Sequence, residues 1–203
     1  MAEKEGLSFE EYRERMEAAL DIDYDALKDE CEKLKAVTEK HSGVTIMTGD
    51  GKYALDMAFG DRKWGVDAGD GDIPCGEISV APVENETNGE VFFEKIYLPD
   101  AENPRIRHDF DKVVLTVKNG VIESSDNDDF NKLLESYGKE NSTMCELGIG
   151  MNPGVTSLCG CAVLDEKMIG TFHIGIGDNT MFGGENEANF HNDLVGVGEL
   201  NWK

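Results

Sequence analysis

The sequence is short of bases. Against 42 Asp and Glu stand 19 Lys and Arg, a net charge of −23 over 203 residues. Such a chain repels phosphate backbones, which argues against nucleic acid as a partner. Long apolar runs are also missing. None approaches the roughly 20 residues needed to span a bilayer, so no membrane partner is expected. The opening Met1-Ala-Glu-Lys-Glu-Gly6 has neither the basic nor the apolar region of a signal peptide, and a cytoplasmic location is expected. Cysteine is sparse and odd in number (Cys31, Cys75, Cys145, Cys159, Cys161), with no Cys-x-x-Cys pair. That pattern argues against a disulfide framework or a zinc ribbon and for reduced thiols. No tyrosine occurs after Tyr137, and no Pro- or Ser-rich linker divides the chain. What is present is ordinary: 39% hydrophobic and 8% aromatic residues, enough for the core of one domain over residues 1–203. Most of the surplus acid is expected to form wet faces, so only a few carboxylates are candidates for chemistry.

Residues 8–20 read as a helix, with Ser8 and Glu11 as a capping box and Phe9, Tyr12, Met16 and Leu20 on one face. A second helix is expected over 23–40, capped by Asp23, with Tyr24, Leu27, Cys31, Leu34 and Val37 as its stripe. The period then changes to two. Residues 43–48 and 53–59 flank Gly49-Asp-Gly-Lys52 as a hairpin, and 112–117 and 121–125 flank Lys118-Asn-Gly120 as another. Further strands are expected at 77–83, 90–97, 144–150, 172–176 and 195–200. Short helices are expected at 127–138 and, buried, at 155–168. The acidic stretch 66–72 lacks the register and terminal Glu of a calcium loop and reads as a loop, as does 98–110. The order predicts an α+β fold: two N-terminal helices, then a mostly antiparallel or mixed β domain with short helices.

Four places set a ligand-type side chain in an apolar, glycine-containing frame. They are Ile73-Pro-Cys-Gly-Glu77, Met144-Cys-Glu146-Leu-Gly-Ile-Gly150, Thr171-Phe-His173-Ile-Gly-Ile-Gly177 and His191-Asn-Asp193. In a strand, His191 and Asp193 point to one side and can face one ion together. A carboxylate such as Glu146, set in a run built for burial, needs a partner, because an unpaired buried charge costs several kcal/mol. A metal ion is one such partner and Arg or Lys is another. Three carboxylates and two imidazoles are the donor set of a two-metal site.

The ordered motifs Pro74 to Pro82, Glu146 to Pro153, Asp165 to Gly177 and His191 to Asp193 resemble those of the aminopeptidase T family, metallo-aminopeptidases also described as leucyl aminopeptidases. The similarity runs from about residue 20 onward. It implies that Glu77, Glu146, His173, His191 and Asp193 ligate two divalent ions (Zn, Co, Mg or Mn), with Glu77 or Glu146 as general base. It also implies a peptide substrate cut at its N-terminus and a homodimer. The family's N-terminal α/β domain has no counterpart in these residues. Its tyrosine about seven positions after the third-motif histidine is replaced by Thr180.

A related branch resembles ring-cleaving dihydroxypyridine dioxygenases. There, two histidines and an aspartate hold one Fe(II), a triad that His173, His191 and Asp193 could supply. A third reading is a binding module or fragment without catalysis of its own.

Overall fold

The computed structural model describes residues 6–203; residues 1–5, which open the N-terminal segment considered above, lie outside the description. Four α-helices and eleven strands make an α+β fold in which the strands are paired antiparallel in two sheets. Helix α1 (Phe9–Leu20) begins where Ser8 Oγ accepts the Glu11 N–H at 3.2 Å and Glu11 Oε2 accepts the Ser8 N–H at 3.0 Å. Helix α2 (Tyr24–Thr38) begins where Asp23 Oδ1 accepts the Ala26 N–H at 3.0 Å. Side-chain oxygens thus satisfy amide groups that the first helical turn cannot. Only part of each expected stripe is inside. Leu27 and Cys31 enter the main core, while Phe9, Leu20, Tyr24 and Val37 stay exposed.

The first sheet runs β11-β1-β2-β5-β6-β7. Its strands are β1 (Gly43–Thr48), β2 (Tyr53–Ala58), β5 (Asn88–Pro99), β6 (Arg107–Lys118), β7 (Val121–Ser125) and β11 (Glu199–Trp202). The second runs β10-β9-β8-β4-β3. Its strands are β3 (Gly65–Asp67), β4 (Glu77–Val80), β8 (Met144–Gly150), β9 (Phe172–Gly177) and β10 (His191–Gly196). Alternate residues of both sheets meet in one core. Ile46, Leu55, Phe93 and Leu115 come from the first, and Ile78, Leu147, Ile174 and Leu194 from the second. Phe93 and Phe172 join the sheets, their ring centres 6.0 Å apart. Helix α3 (Asp128–Asn141) buries Phe130, Leu133, Leu134 and Tyr137, as its spacing predicts. Among the described residues, no helix is long and apolar enough to cross a membrane.

Three expectations need correction. Residues 98–110 are not all loop, because β5 runs to Pro99 and β6 starts at Arg107. The Asp100 carboxylate accepts the Glu102 and Asn103 N–H groups and closes a tight turn between the two strands. The buried helix expected at 155–168 shrinks to α4 (Ala162–Asp165). The reason is Asp165, whose carboxylate accepts the N–H groups of Cys159 and Gly160, both at 2.7 Å, and pins the preceding chain as a loop. The last strand, expected at 195–200, is two strands in different sheets, β10 and β11. Gly196 and Gly198 let the chain cross: a Cβ there would meet Phe172 Cζ at 2.5 Å and Met47 O at 2.5 Å.

Asn152 ties helix α1 to the segment that leads into β4. Its fully buried amide donates to Ala19 O at 3.0 Å and Cys75 O at 2.7 Å, while its carbonyl accepts the Gly154 N–H at 2.8 Å. Asn152→Ala strips all three partners at once. It is expected to cost about 2–4 kcal/mol, read as a lower midpoint in urea unfolding.

Candidate metal centre

Antiparallel partners share a face, and so do alternate residues along a strand. In the second sheet Asp67 pairs with Glu77, Glu77 with Gly150, Gly148 with His173, Glu146 and Asp193 with Gly175, and His191 with Gly177. The five residues singled out in the sequence therefore fall on one face of β4, β8, β9 and β10. The intervening Ile78, Leu147, Ile174 and Leu194 point the other way, into the core. The apolar half of each strand anchors the sheet, and the polar half is brought to one row by register alone.

The glycines between these residues make the row possible. A Cβ on Gly148 would stand 1.9 Å from His173 Nε2. One on Gly175 would stand 2.7 Å from His191 Cε1 and 2.8 Å from Glu146 Cβ. Both imidazoles lie over a neighbouring strand in space that only glycine leaves open.

The side chains form two triads that share Glu146: Glu77, Glu146 and His173, and Glu146, His191 and Asp193. Within each, one ligand-type atom per residue lies within 4.8 Å of the others. His173 Nε2 is 3.4 Å from Glu77 Oε2 and 4.0 Å from Glu146 Oε1. His191 Nε2 is 2.9 Å from Glu146 Oε2 and 3.3 Å from Asp193 Oδ1. His191 Nδ1 lies 2.7 Å from the Asp178 carbonyl oxygen. A carbonyl only accepts, so Nδ1 carries the proton and Nε2 is turned toward the carboxylates. Glu146 and His173 are buried, whereas His191 and Asp193 are partly open.

Sequence reasoning missed three further charges here. Lys167 is buried with its ammonium 2.8 Å from Glu77 Oε2, 3.1 Å from Glu166 Oε1 and 4.0 Å from Asp67 Oδ2. Asp165-Glu-Lys167 lies in the stretch expected as a buried helix and opens the third motif, and all of it is buried. The available signal was its place next to Gly170-Thr171, at the entry to β9. Asp67 came from the stretch read as a loop. Its first residues instead belong to β3, which carries Asp67 to the edge of the row.

Carboxylates outnumber cations in this space, and the titrating groups respond. Burial pushes Glu77 up, against the pull of His173 and Lys167. Burial and the Asp193 charge push Glu166 up to about 8. Burial also disfavours both imidazolium ions, but Glu77, Asp193 and Glu146 outweigh it at His173 and raise its pKa. At His191, hydrogen bonds that the ring makes with Asp193, Cys145 and Glu146 do the same. Burial would raise Asp193 as well, yet its hydrogen bond with His191 and the nearby positive charges hold it at about 2.

The donor set suits a borderline divalent ion: two imidazoles with carboxylates. Two buried atoms in it lack any hydrogen bond, Glu77 Oε2 and His173 Nδ1. Glu77 Oε2 is charge-paired with the Lys167 ammonium at 2.8 Å and also faces His173 Nε2 at 3.4 Å. A carboxylate oxygen beside an imidazole fits a cation-binding position. Thr180 opens a short 3-10 turn (Thr180–Phe182). Its hydroxyl donates to Asp178 Oδ1 at 2.7 Å. The aromatic neighbour of His191 is Phe182, ring centres 5.4 Å apart, which has no hydroxyl to offer. A cleft of about 1030 Å³ opens beside Asp193, walled in part by Tyr53, Phe92, Tyr97, Leu158 and Val197.

No protein-family model matches this chain, and no curated protein matches it in sequence. Solved structures match it in fold. A 2,5-dihydroxypyridine dioxygenase from Pseudomonas putida KT2440 superposes with a TM-score of 0.69 at 18% identity, over 90% of this chain and 57% of that one. AmpT from Thermus thermophilus superposes with a TM-score of 0.62 at 14% identity, over 87% of this chain and 49% of that one. The chain thus spans about half the length of these neighbours. Its fold is shared with both.

Proposed function

We propose that this protein is a metal-dependent hydrolase of the aminopeptidase type, removing N-terminal residues from peptides. The observation that carries the reading is the pair of triads sharing Glu146, one donor set for each of two ions. Glu77, Glu146 and His173 would hold one ion, and Glu146, His191 and Asp193 the other. Two divalent ions, when bound, would polarise the scissile carbonyl and lower the pKa of a water between them. Both oxygens of Glu146 face a histidine, which suits a bridging ligand. Proton transfer then falls to Glu77, whose pKa burial raises above that of a free carboxylate, making it a stronger base. The cleft beside Asp193 would seat the peptide. A homodimer and one catalytic domain belong to the same reading, the former checked by sedimentation.

The test is cleavage of aminoacyl-nitroanilides by metal-free protein supplied with zinc, cobalt, manganese or magnesium. No cleavage with any of them would exclude the peptidase assignment.

A second reading has its own support. Thr180 and Phe182 leave no tyrosine hydroxyl near His191, and the dioxygenase superposes over 90% of the chain. In that case His173, His191 and Asp193 hold one Fe(II). Oxygen uptake with a dihydroxylated pyridine after anaerobic iron loading, at one iron per chain, would select it.

Metal binding is expected to release protons under either reading. Both histidine pKa values are raised, so in the metal-free protein each ring holds its second proton to higher pH than a free imidazole does. An ion taking Nε2 must displace that proton, about one for each histidine. Acidification favours the proton, so affinity falls as pH falls. Calorimetry in buffers of different ionisation enthalpy measures the release, and a buffer-independent heat would contradict it.

A further inference from the structure

Lys167 does not treat the two triads alike. Its side chain is 1% exposed, and its ammonium is held between Glu77, Glu166 and Asp67 at 2.8, 3.1 and 4.0 Å. The backbone that carries it cannot readily shift. Glu166 O and Met168 O press against Gly150, where a Cβ would meet them at 2.7 and 2.1 Å. The Glu77 oxygen that Lys167 touches, Oε2, is also the one that faces His173 Nε2 at 3.4 Å. Any ion seated among Glu77, Glu146 and His173 must therefore share the Glu77 carboxylate with a fixed positive charge. Among the described residues Lys167 pairs at contact distance with Glu77, Glu166 and Asp67 and not with Glu146 or Asp193, so its charge bears more closely on the first triad than on the second, although Asp193 also feels it. A positive charge weakens a cation site in proportion to its nearness, most strongly where water is excluded.

We infer that Lys167 makes the two metal positions unequal. The position at Glu146, His191 and Asp193 is tight, and the position at Glu77, Glu146 and His173 is weak and exchangeable. Lys167 is a charge-setting residue that acts through Glu77 rather than on substrate. The inference rests on the metal reading above and adds to it an order of filling. At low metal the protein carries one ion, and the second enters only when metal is plentiful.

The test is calorimetric titration of metal-free protein with cobalt, with the visible spectrum of bound cobalt as a second readout. The wild type is expected to bind in two steps separated by about tenfold or more. His173→Ala should remove the weaker step and His191→Ala the tighter one. Lys167→Met should tighten the weaker step by about tenfold, and Lys167→Arg, which keeps the charge, should leave it weak. Two equal steps in the wild type would overturn the inference without need of any Lys167 variant. So would a weaker step that stays put or loosens in folded Lys167→Met. Wild-type protein that binds no cobalt, zinc or manganese would overturn the metal reading itself, and this inference with it.

Discussion

Glu146→Gln is expected to abolish binding at both metal positions while leaving the metal-free protein at least as stable as the wild type. The two halves of this result have one cause. Glu146 offers Oε1 to the His173 triad and Oε2 to the His191 triad, so it is the one residue that both donor sets contain. The amide keeps the shape but loses the charge that draws a divalent ion. Loss of a first ligand should exceed the roughly 10–100-fold penalty typical of outer partners, so activity and affinity should fall by more than about 10²-fold. Stability should move the other way. Asp67, Glu77, Glu166 and Asp193 remain around Lys167 and the two histidines, so removing one carboxylate relieves repulsion in a space that water barely enters. Wild-type protein should melt higher when zinc or cobalt is added, because the ion binds only the folded state. The variant should show no such rise. A variant that keeps the full metal-induced shift would remove Glu146 from the centre of the proposal.

The fold was legible where a strand or helix has one wet side and one dry side. The capping residues Ser8 and Asp23, the turns at Gly49–Lys52 and Lys118–Gly120, and the stripe of α3 each follow from local chemistry alone. The expected helix at 155–168 went wrong because small apolar residues suit a buried helix and a buried loop equally. The choice was made by Asp165, through its hydrogen bonds to Cys159 and Gly160. That β10 and β11 belong to different sheets depends on pairing with β9 and β1, at opposite ends of the sequence, which no local pattern records. The site divides in the same way. Residues of ligand type inside glycine-bearing apolar runs stood out, because a charge in such a run needs a partner. Asp67 did not, because a Gly-Asp loop usually belongs to the surface, and Glu166 and Lys167, though placed in a buried helix, carried no local sign of the charges they would meet. Only the sheet register, together with the close approach of Glu166 and Met168 to Gly150, brings them inside.

Adding one methyl group is expected to disable one triad at Gly148 and to weaken both at Gly175, with different signatures. Neither glycine has a left-handed backbone, so an alanine there is not strained by its dihedral angles; the cost is steric. At Gly148 the new Cβ would stand 1.9 Å from His173 Nε2 and 2.1 Å from its Cε1, well inside contact distance. The ring is 2% exposed and has no solvent to turn into. It must leave its rotamer or push β8 and β9 apart, each typical of overpacking that costs about 1–3 kcal/mol. Gly148→Ala should therefore lose the position at Glu77, Glu146 and His173 while the His191 position still binds. At Gly175 the Cβ would meet His191 at 2.7 Å and Glu146 Cβ at 2.8 Å. His191 is a quarter exposed and can swing outward, so the fold should suffer less than in Gly148→Ala. Binding should suffer more, because Glu146 is displaced as well and both donor sets contain it. Urea unfolding and metal titration on the same two variants would separate these orders. If Gly175→Ala bound two ions like the wild type, the close approach of the imidazole to β9 would not be what holds the centre together.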